Sequence, residues 1–342
     1  MKGIPHNLPS LGNEEAEACS RVIRSGWVAQ GHELKSFEED FANYLGIGVK
    51  NVVALSNGTA ALFLALKFLG AKDKRVATPV YACAALRNAI SWADGTPRFV
   101  DNAPGSPLMD LSDSKIEESE ILIAAHMFGQ PLDTSSLKNK IIIEDVAQAF
   151  GASIQGKKLG TLGECGIFSF YATKLMTSGG QGGMFVSRDP GLAAEVRDYR
   201  EFDCRRDSKI RFNFQMTDLQ AAVGREQLKK LPQFLKRREE IYQAYLESGL
   251  PILKPALSSQ SYPVRYRCIV KSSQSKILQK SLEAAEIKAI VPIEDWELQA
   301  GPLEDYPRAL DLCRSSLSLP CYPSLSDADQ QRIIKISKGI EL

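Results

Sequence analysis

From about residue 50 the chain alternates short runs rich in Val and Ile with longer apolar stretches, and this rhythm constrains the fold more than any other feature. It is the pattern of strands and helices in a mostly parallel sheet. The runs at 51–55, 75–78, 98–101, 121–125, 140–144, 166–170 and 184–187 predict strands whose near-continuous hydrophobicity calls for cover on both faces. Residues 60–69 form an apolar stretch too long for an ordinary strand, closed by Gly70 as a helix stop. A further helix is predicted from Thr217, which stands three residues before Gln220 in a capping-box pattern, with Pro232 expected to bend or end it. The last helix carries Ser326 and Asp329 as its cap.

Length and texture divide the chain in two. At 342 residues it exceeds one ordinary domain. Pro251, Pro255, Ser258, Ser259 and Ser261 read as a linker, followed by a period-two run in Val264, Tyr266, Cys268 and Val270. The expectation is a larger domain with an N-terminal arm over 1–248 and a smaller α/β domain over 249–342.

Charge and cysteine usage remove several function classes. With 42 basic against 41 acidic residues the chain lacks the cationic excess of nucleic-acid or membrane-surface binders. The N-terminal residues include Pro5, His6, Asn7 and Pro9 rather than a secretory apolar core, and no apolar stretch is long enough for a bilayer. Seven scattered cysteines without a Cys-x-x-Cys pair point to a reducing cytoplasm and away from a structural metal. His6, His32 and His126 are too dispersed for a zinc hydrolase. Small-molecule chemistry is what remains.

Two nucleotide motifs fail on inspection. Residues 151–157 fit Gly-x-x-x-x-Gly-Lys, but Lys158 stands where a Mg²⁺-binding hydroxyl is required. The first strand is followed by a single glycine rather than a dinucleotide fingerprint.

Three segments suggest chemistry, each with a plainer alternative. Ser56-Asn57-Gly58-Thr59 joins a strand to an apolar helix, which would aim free backbone N–H groups at a phosphate or merely cap the helix. Glu144-Asp145 ends a buried strand, so a carboxylate stands where open α/β sheets bind ligands, or else caps the next turn. Lys174 follows another strand and precedes Ser178-Gly179-Gly180-Gln181-Gly182-Gly183. A lysine in a partly dry pocket can act as a nucleophilic amine and form a Schiff base; a solvated loop lysine is the commoner case.

In order along the chain, these segments are accompanied by Gly26-Trp27 with Gly31 and Phe37-Glu38, Phe99-Val100-Asp101 after Pro97, and His126-x-Phe128-Gly129-Gln130-Pro131. Ala147-Gln148-Ala149, Phe168-Ser169-Phe170, Gln220-Ala221-Ala222-x-Gly224 and Leu317-Ser318-Leu319-Pro320 complete the series. The ordered set resembles the DegT-type aminotransferase family, pyridoxal 5'-phosphate (PLP) enzymes best known for aminating nucleotide-linked keto-sugars, with the aspartate-aminotransferase fold.

The resemblance implies a role for each matching residue. Lys174 would hold PLP as a Schiff base and shuttle the proton during transfer, and Asp145 would pair with the pyridine nitrogen. Gln148 would lie near the cofactor ring, while Gly58, Thr59 and Ser169 would cradle its phosphate. Asn213 would reach the phosphate of a neighbouring subunit, which implies a homodimer with shared sites. The amino donor would be an amino acid, glutamate foremost, and the acceptor a keto-sugar.

The chain also departs from the family pattern. Cys83 stands where an aromatic residue usually stacks on the ring, with Tyr81 two residues earlier as a substitute. Gln181 and Gln215 replace an acidic residue and an arginine, and the helix before the strand at 140–144 is cut down to residues 133–139. The segment 291–306 lacks a recognisable copy of the family's sugar-facing stretch. These departures leave a catalytically silent or regulatory PLP binder as the alternative. A PLP-dependent sugar dehydratase is the other, against which Lys174 argues, because such members carry histidine there.

Overall fold

The computed structural model describes residues 3–255 and 260–340. The strands are β1 (Val52–Leu55), β2 (Arg75–Pro79), β3 (Thr96–Val100), β4 (Ile121–Ala125), β5 (Ile141–Asp145), β6 (Ser153–Ile154), β7 (Lys157–Lys158), β8 (Cys165–Ser169), β9 (Gly183–Ser187), β10 (Ser261–Tyr262), β11 (Cys268–Lys271) and β12 (Ser316–Leu319). The helices are α1 (Asn13–Ser25), α2 (His32–Leu45), α3 (Gly58–Phe68), α4 (Ala85–Trp92), α5 (Ser114–Glu117), α6 (Pro190–Arg200), α7 (Asp218–Glu247), α8 (Ser275–Ala284), α9 (Pro307–Ser315) and α10 (Asp327–Lys338). Predicted strand positions agree with β1–β5, β8 and β9 to within two residues at their ends. Two of the expected linker residues, Ser258 and Ser259, lie outside the described residues.

Seven strands build one sheet in the order β1-β9-β8-β5-β4-β2-β3, in which β9 alone runs against the others. The mostly parallel α/β architecture is therefore as expected. Alternate residues feed opposite cores: Val53 and Leu55 of β1 join the apolar layer of α3 and α4, while Val52 and Ala54 join that of α2 and α7. Cover on both faces explains why these strands read as continuous hydrophobic runs. A third core packs β11 and β12 against α8 and α10, and recruits Ile241, Tyr242 and Tyr245 from the end of α7 together with Ile4.

The helix at Thr217 carries the predicted capping box, with Thr217 Oγ1 accepting from the Gln220 N–H at 3.2 Å. Pro232 does not end it. The helix α7 continues to Glu247 because Leu228, Leu231, Phe234 and Ile241 are buried on both sides of the exposed proline, and that packing outweighs one lost backbone bond. Residues 133–139 hold no helix at all; a turn from Thr134 to Leu137 replaces it. The capping pair Ser326 and Asp329 sits at the start of α10 as expected.

Two buried carboxylates join distant elements. Glu38 accepts from the Ala54 N–H at 2.8 Å and from Arg200 at 2.5 Å, while Arg200 donates to the Ala54 carbonyl at 3.0 Å. The pair thus satisfies the outer backbone of edge strand β1, which would otherwise be left unpaired. Asp218, the first residue of α7, accepts from the N–H groups of Gly31, Glu33 and Leu34 at 2.8–3.1 Å. It caps α2, whose own N-cap residue Gly31 has no side chain to do so. Replacing Asp218 with Ala orphans three donors and is expected to cost roughly 2–3 kcal/mol, measured as a lowered urea midpoint at unchanged slope.

Candidate active site

The carboxyl ends of β1, β2, β4, β5 and β8 open onto one cleft of about 220 Å³, the position where open α/β sheets place their ligands. Gly58, Thr59, Cys83, Asp145, Gln148, Ser169 and Lys174 all line it, so seven of the residues singled out from sequence are brought together. Gln181 also lines it. Asn213 does not: it is exposed on the segment before α7, where its side chain accepts from the Gln215 N–H at 3.1 Å.

One wall is the N-terminus of α3. Asn57 caps the helix by accepting from the Ala60 N–H at 2.8 Å, which leaves the N–H groups of Gly58 and Thr59 without intrahelical acceptors. The helix can approach the sheet this closely only because of two glycines. A Cβ on Gly58 would lie 2.9 Å from the Ser169 Cβ, and one on Gly183 would lie 2.3 Å from the Asn57 carbonyl carbon. The result is a concave set of backbone donors and the Ser169 hydroxyl, at the positive end of a helix dipole.

The two successive carboxylates of β5 have different surroundings. Glu144 accepts from the N–H groups of Gly160, Leu162 and Gly163 at 2.6–2.8 Å and faces His126 Nε2 at 3.4 Å. Burial would raise its carboxyl, but hydrogen bonding and charge from His126 and then the backbone donors hold it below the usual carboxylate range. Asp145 has far less support: among the described residues its carboxylate accepts one hydrogen bond, from Ala147 N–H at 2.9 Å. Burial pushes its carboxyl above the usual range, against opposing pulls from Ala147, Lys174 and His126. A half-buried carboxylate with so few donors suits a cation in the cleft.

Lys174 follows β8, its N–H donating to the Tyr171 carbonyl at 2.9 Å and its Nζ lying 5.5 Å from the Tyr266 ring centroid. Gln148 is oriented by the Phe128 N–H, which donates to its Oε1 at 2.9 Å. Tyr81 is excluded from ring stacking: it is fully buried, edge-on to Phe128, and outside the cleft lining. Cys83 lines that wall beside Ala82, Ala85 and Leu86, on a loop pinned by Gln299, whose N–H and side chain donate to Val80 and Ala82 carbonyls at 3.1 and 2.8 Å. Sequence reasoning missed Gln299 and Tyr266, which come from distant segments and belong to no local motif. Among the described residues no group of ligands suits a metal ion, and no helix is long and apolar enough to cross a membrane.

The model of the DegT/DnrJ/EryC1/StrS aminotransferase family matches residues 9–337. The chain belongs to this family. It is similar to dTDP-4-dehydro-2,3,6-trideoxy-D-glucose 4-aminotransferase of Saccharopolyspora spinosa, with 31% identity over 97% of this chain and 96% of that protein. A GDP-perosamine synthase of Vibrio cholerae is 32% identical, covering 98% of each chain. Among solved structures, S. venezuelae DesV in complex with a ketimine intermediate superposes with a TM-score of 0.87 at 30% identity, over 96% of this chain and 94% of that one. This member of the DegT/DnrJ/EryC1/StrS family is a transaminase.

The Asp145 environment yields a stability test that does not involve turnover. Because the folded-state carboxyl is raised, the fold penalises its ionised form above that raised value and not below the unfolded one. The cofactor-free Asp145→Asn variant is therefore expected to melt above wild type at neutral pH, with the difference shrinking as pH falls through the carboxylate range. Thermal scans across pH read this directly.

Proposed function

We propose that the cleft binds PLP and transfers an amino group from an amino-acid donor, with glutamate foremost, to a nucleotide-linked keto-sugar. The observation that carries this reading is the pairing of an under-supported Asp145 carboxylate with a backbone-lined anion cradle, both within one cleft that also holds Lys174. These residues fit the group. A protonated pyridine nitrogen supplies the cation Asp145 lacks, and a phosphate suits the α3 N-terminus. Bound PLP supplies an electron sink for the electrons released at the donor's α-carbon.

The remaining work falls to the chain. Asp145 would pair with the ring nitrogen and favour its protonated form, a pairing strengthened by its half-buried position. Gly58, Thr59 and Ser169 would hold the phosphate. Lys174 would hold the cofactor covalently, and its side-chain nitrogen would carry the proton to and from the donor's α-carbon. Gln148 orients the ring edge, and Cys83 packs where other members place an aromatic residue.

The acceptor class is supported by the sugar aminotransferases to which this chain is similar. A homodimer is supported by the exposed apolar residues Trp27, Trp92, Ile210 and Phe212, the last two on the segment carrying Asn213. In such a dimer Asn213 reaches the partner's phosphate cradle. Seven unpaired thiols suit a reducing cytoplasm.

Lys174→Ala is expected to lower glutamate-driven turnover by at least about 10³-fold while leaving the melting temperature near wild type, because the half-buried side chain packs little. Borohydride reduction followed by peptide mapping should place the reduced adduct on Lys174; its absence there would overturn the assignment. Shared sites have their own check. If Asn213→Ala is impaired, mixing it with Lys174→Ala should restore activity through heterodimers that retain one intact site, and failure to complement would point to self-contained protomers.

A further inference from the structure

The second half of α7 buries a cation to which no acid is paired among the described residues. Arg238 is 2% exposed, its guanidinium donates to the backbone carbonyls of Arg265, Tyr266 and Cys321, and its Nε has no hydrogen-bond partner. Glu239 and Glu240, the acids that follow it in sequence, pair with Arg265 and Arg237 instead. A buried charge without a counter-ion is strongly destabilising. Among the described residues, the groups near Arg238 able to turn negative are the Tyr266 phenol and the thiols of Cys268 and Cys321. A thiol ionises more readily than a phenol.

The two thiols come together from separate segments. Cys268 opens β11 opposite Leu319, and Cys321 lies two residues beyond that leucine, so both enter the core beneath α7. The Cys268 thiol donates to the Cys321 sulfur, which also lies 3.9 Å from the Arg265 carbonyl oxygen and 4.0 Å from that of Arg238. That hydrogen bond from Cys268, working against burial and aided by the Arg238 charge, holds the Cys321 thiol below its ordinary value. Burial pushes Cys268 above it. Access divides the pair in the same way. Cys321 lines a cavity of about 90 Å³ with His6, Thr173, Tyr266, Arg267 and Ser318, and Cys268 does not. The cavity has room for a small neutral solute, and its lining includes no aspartate or glutamate.

We propose that Cys321 and Cys268 form a peroxide-reactive thiol pair, in which the Cys321 sulfur serves as counter-ion to Arg238 and attacks the oxidant while Cys268 resolves the product into a disulfide. The Cys321 thiolate attacks one oxygen of hydrogen peroxide; an S–O bond forms, the O–O bond breaks, and the departing hydroxide takes up the proton that Cys321 had released, giving water. The Cys268 sulfur then displaces the hydroxyl on Cys321; an S–S bond forms, the S–O bond breaks, and the Cys268 proton leaves with the hydroxyl as a second water. Two thiols are thus oxidised by two electrons and one peroxide is reduced to two waters. The disulfide carries no charge, so Arg238 loses its counter-ion. The carbonyls Arg238 holds include that of Tyr266, whose ring centroid lies 5.5 Å from Lys174 Nζ, so oxidation reaches the reactive lysine.

The test treats the full chain, PLP-loaded and fully reduced, with a small excess of hydrogen peroxide at neutral pH, followed by alkylation of free thiols and mass mapping of tryptic peptides. The Cys268–Cys321 cross-link should form roughly 10-fold faster than the exposed Cys83 and Cys204 are oxidised, because more of Cys321 is thiolate. In Cys268→Ala the reaction should stop at a Cys321 sulfenic acid trapped by dimedone, and in Cys321→Ala the remaining Cys268 should stay reduced. Wild-type transaminase turnover should fall in step with cross-linking and return with dithiothreitol, while Cys321→Ala should keep its turnover through the same treatment. Oxidation of Cys83 or Cys204 ahead of the pair would overturn the proposal, and this wild-type measurement needs no variant to fold. Dimedone labelling of Cys268 in Cys321→Ala, or full turnover in completely cross-linked protein, would overturn it as well.

Discussion

The site depends on a difference between two neighbouring carboxylates. Glu144 and Asp145 are consecutive at the end of β5, and strand alternation sends them to different environments. Glu144 is committed to structure, with three backbone donors and His126 satisfying it. Asp145 keeps one internal hydrogen bond and opens on the cleft. A half-buried negative charge left short of partners is costly to the fold and useful to a cationic ring, which is why the same residue carries both an expected stability penalty and a proposed catalytic task.

Close backbone approach provides the rest of the cleft. Without Gly58 and Gly183, α3 could not sit against β8 and β9, and the first-turn amides would be too far from Ser169 to converge on one anion. Because the donors are main-chain groups, the proposed phosphate site would need no lysine or arginine, in keeping with a chain of nearly balanced charge.

Rigidity comes from long-range polar ties rather than from the sheet alone. The Glu38–Arg200 pair completes the edge of β1, so the strand leading into the N-terminus of α3 is held on both sides. Asp218 fixes α2 to the start of α7, directly after the segment bearing Asn213. Gln299 secures the Cys83 loop from more than two hundred residues away. Each is a single side chain satisfying backbone groups that their own segment leaves open.

Much of this was legible in the chain itself. Val/Ile runs fixed the strands of the central sheet, Thr217 and Gln220 fixed the start of α7, and the residues flanking β1, β5 and β8 marked the cleft, because these properties are local and depend on periodicity and turn chemistry. The fate of Pro232 was not, since flanking buried residues rather than propensity decided it. Nor could sequence separate Glu144 from Asp145, remove Tyr81 from the cleft, or bring His6 beside Arg267 and Ser318. Those outcomes turn on which distant backbone and side-chain groups meet in three dimensions, and a one-dimensional pattern carries no record of distances across 261 or 312 residues.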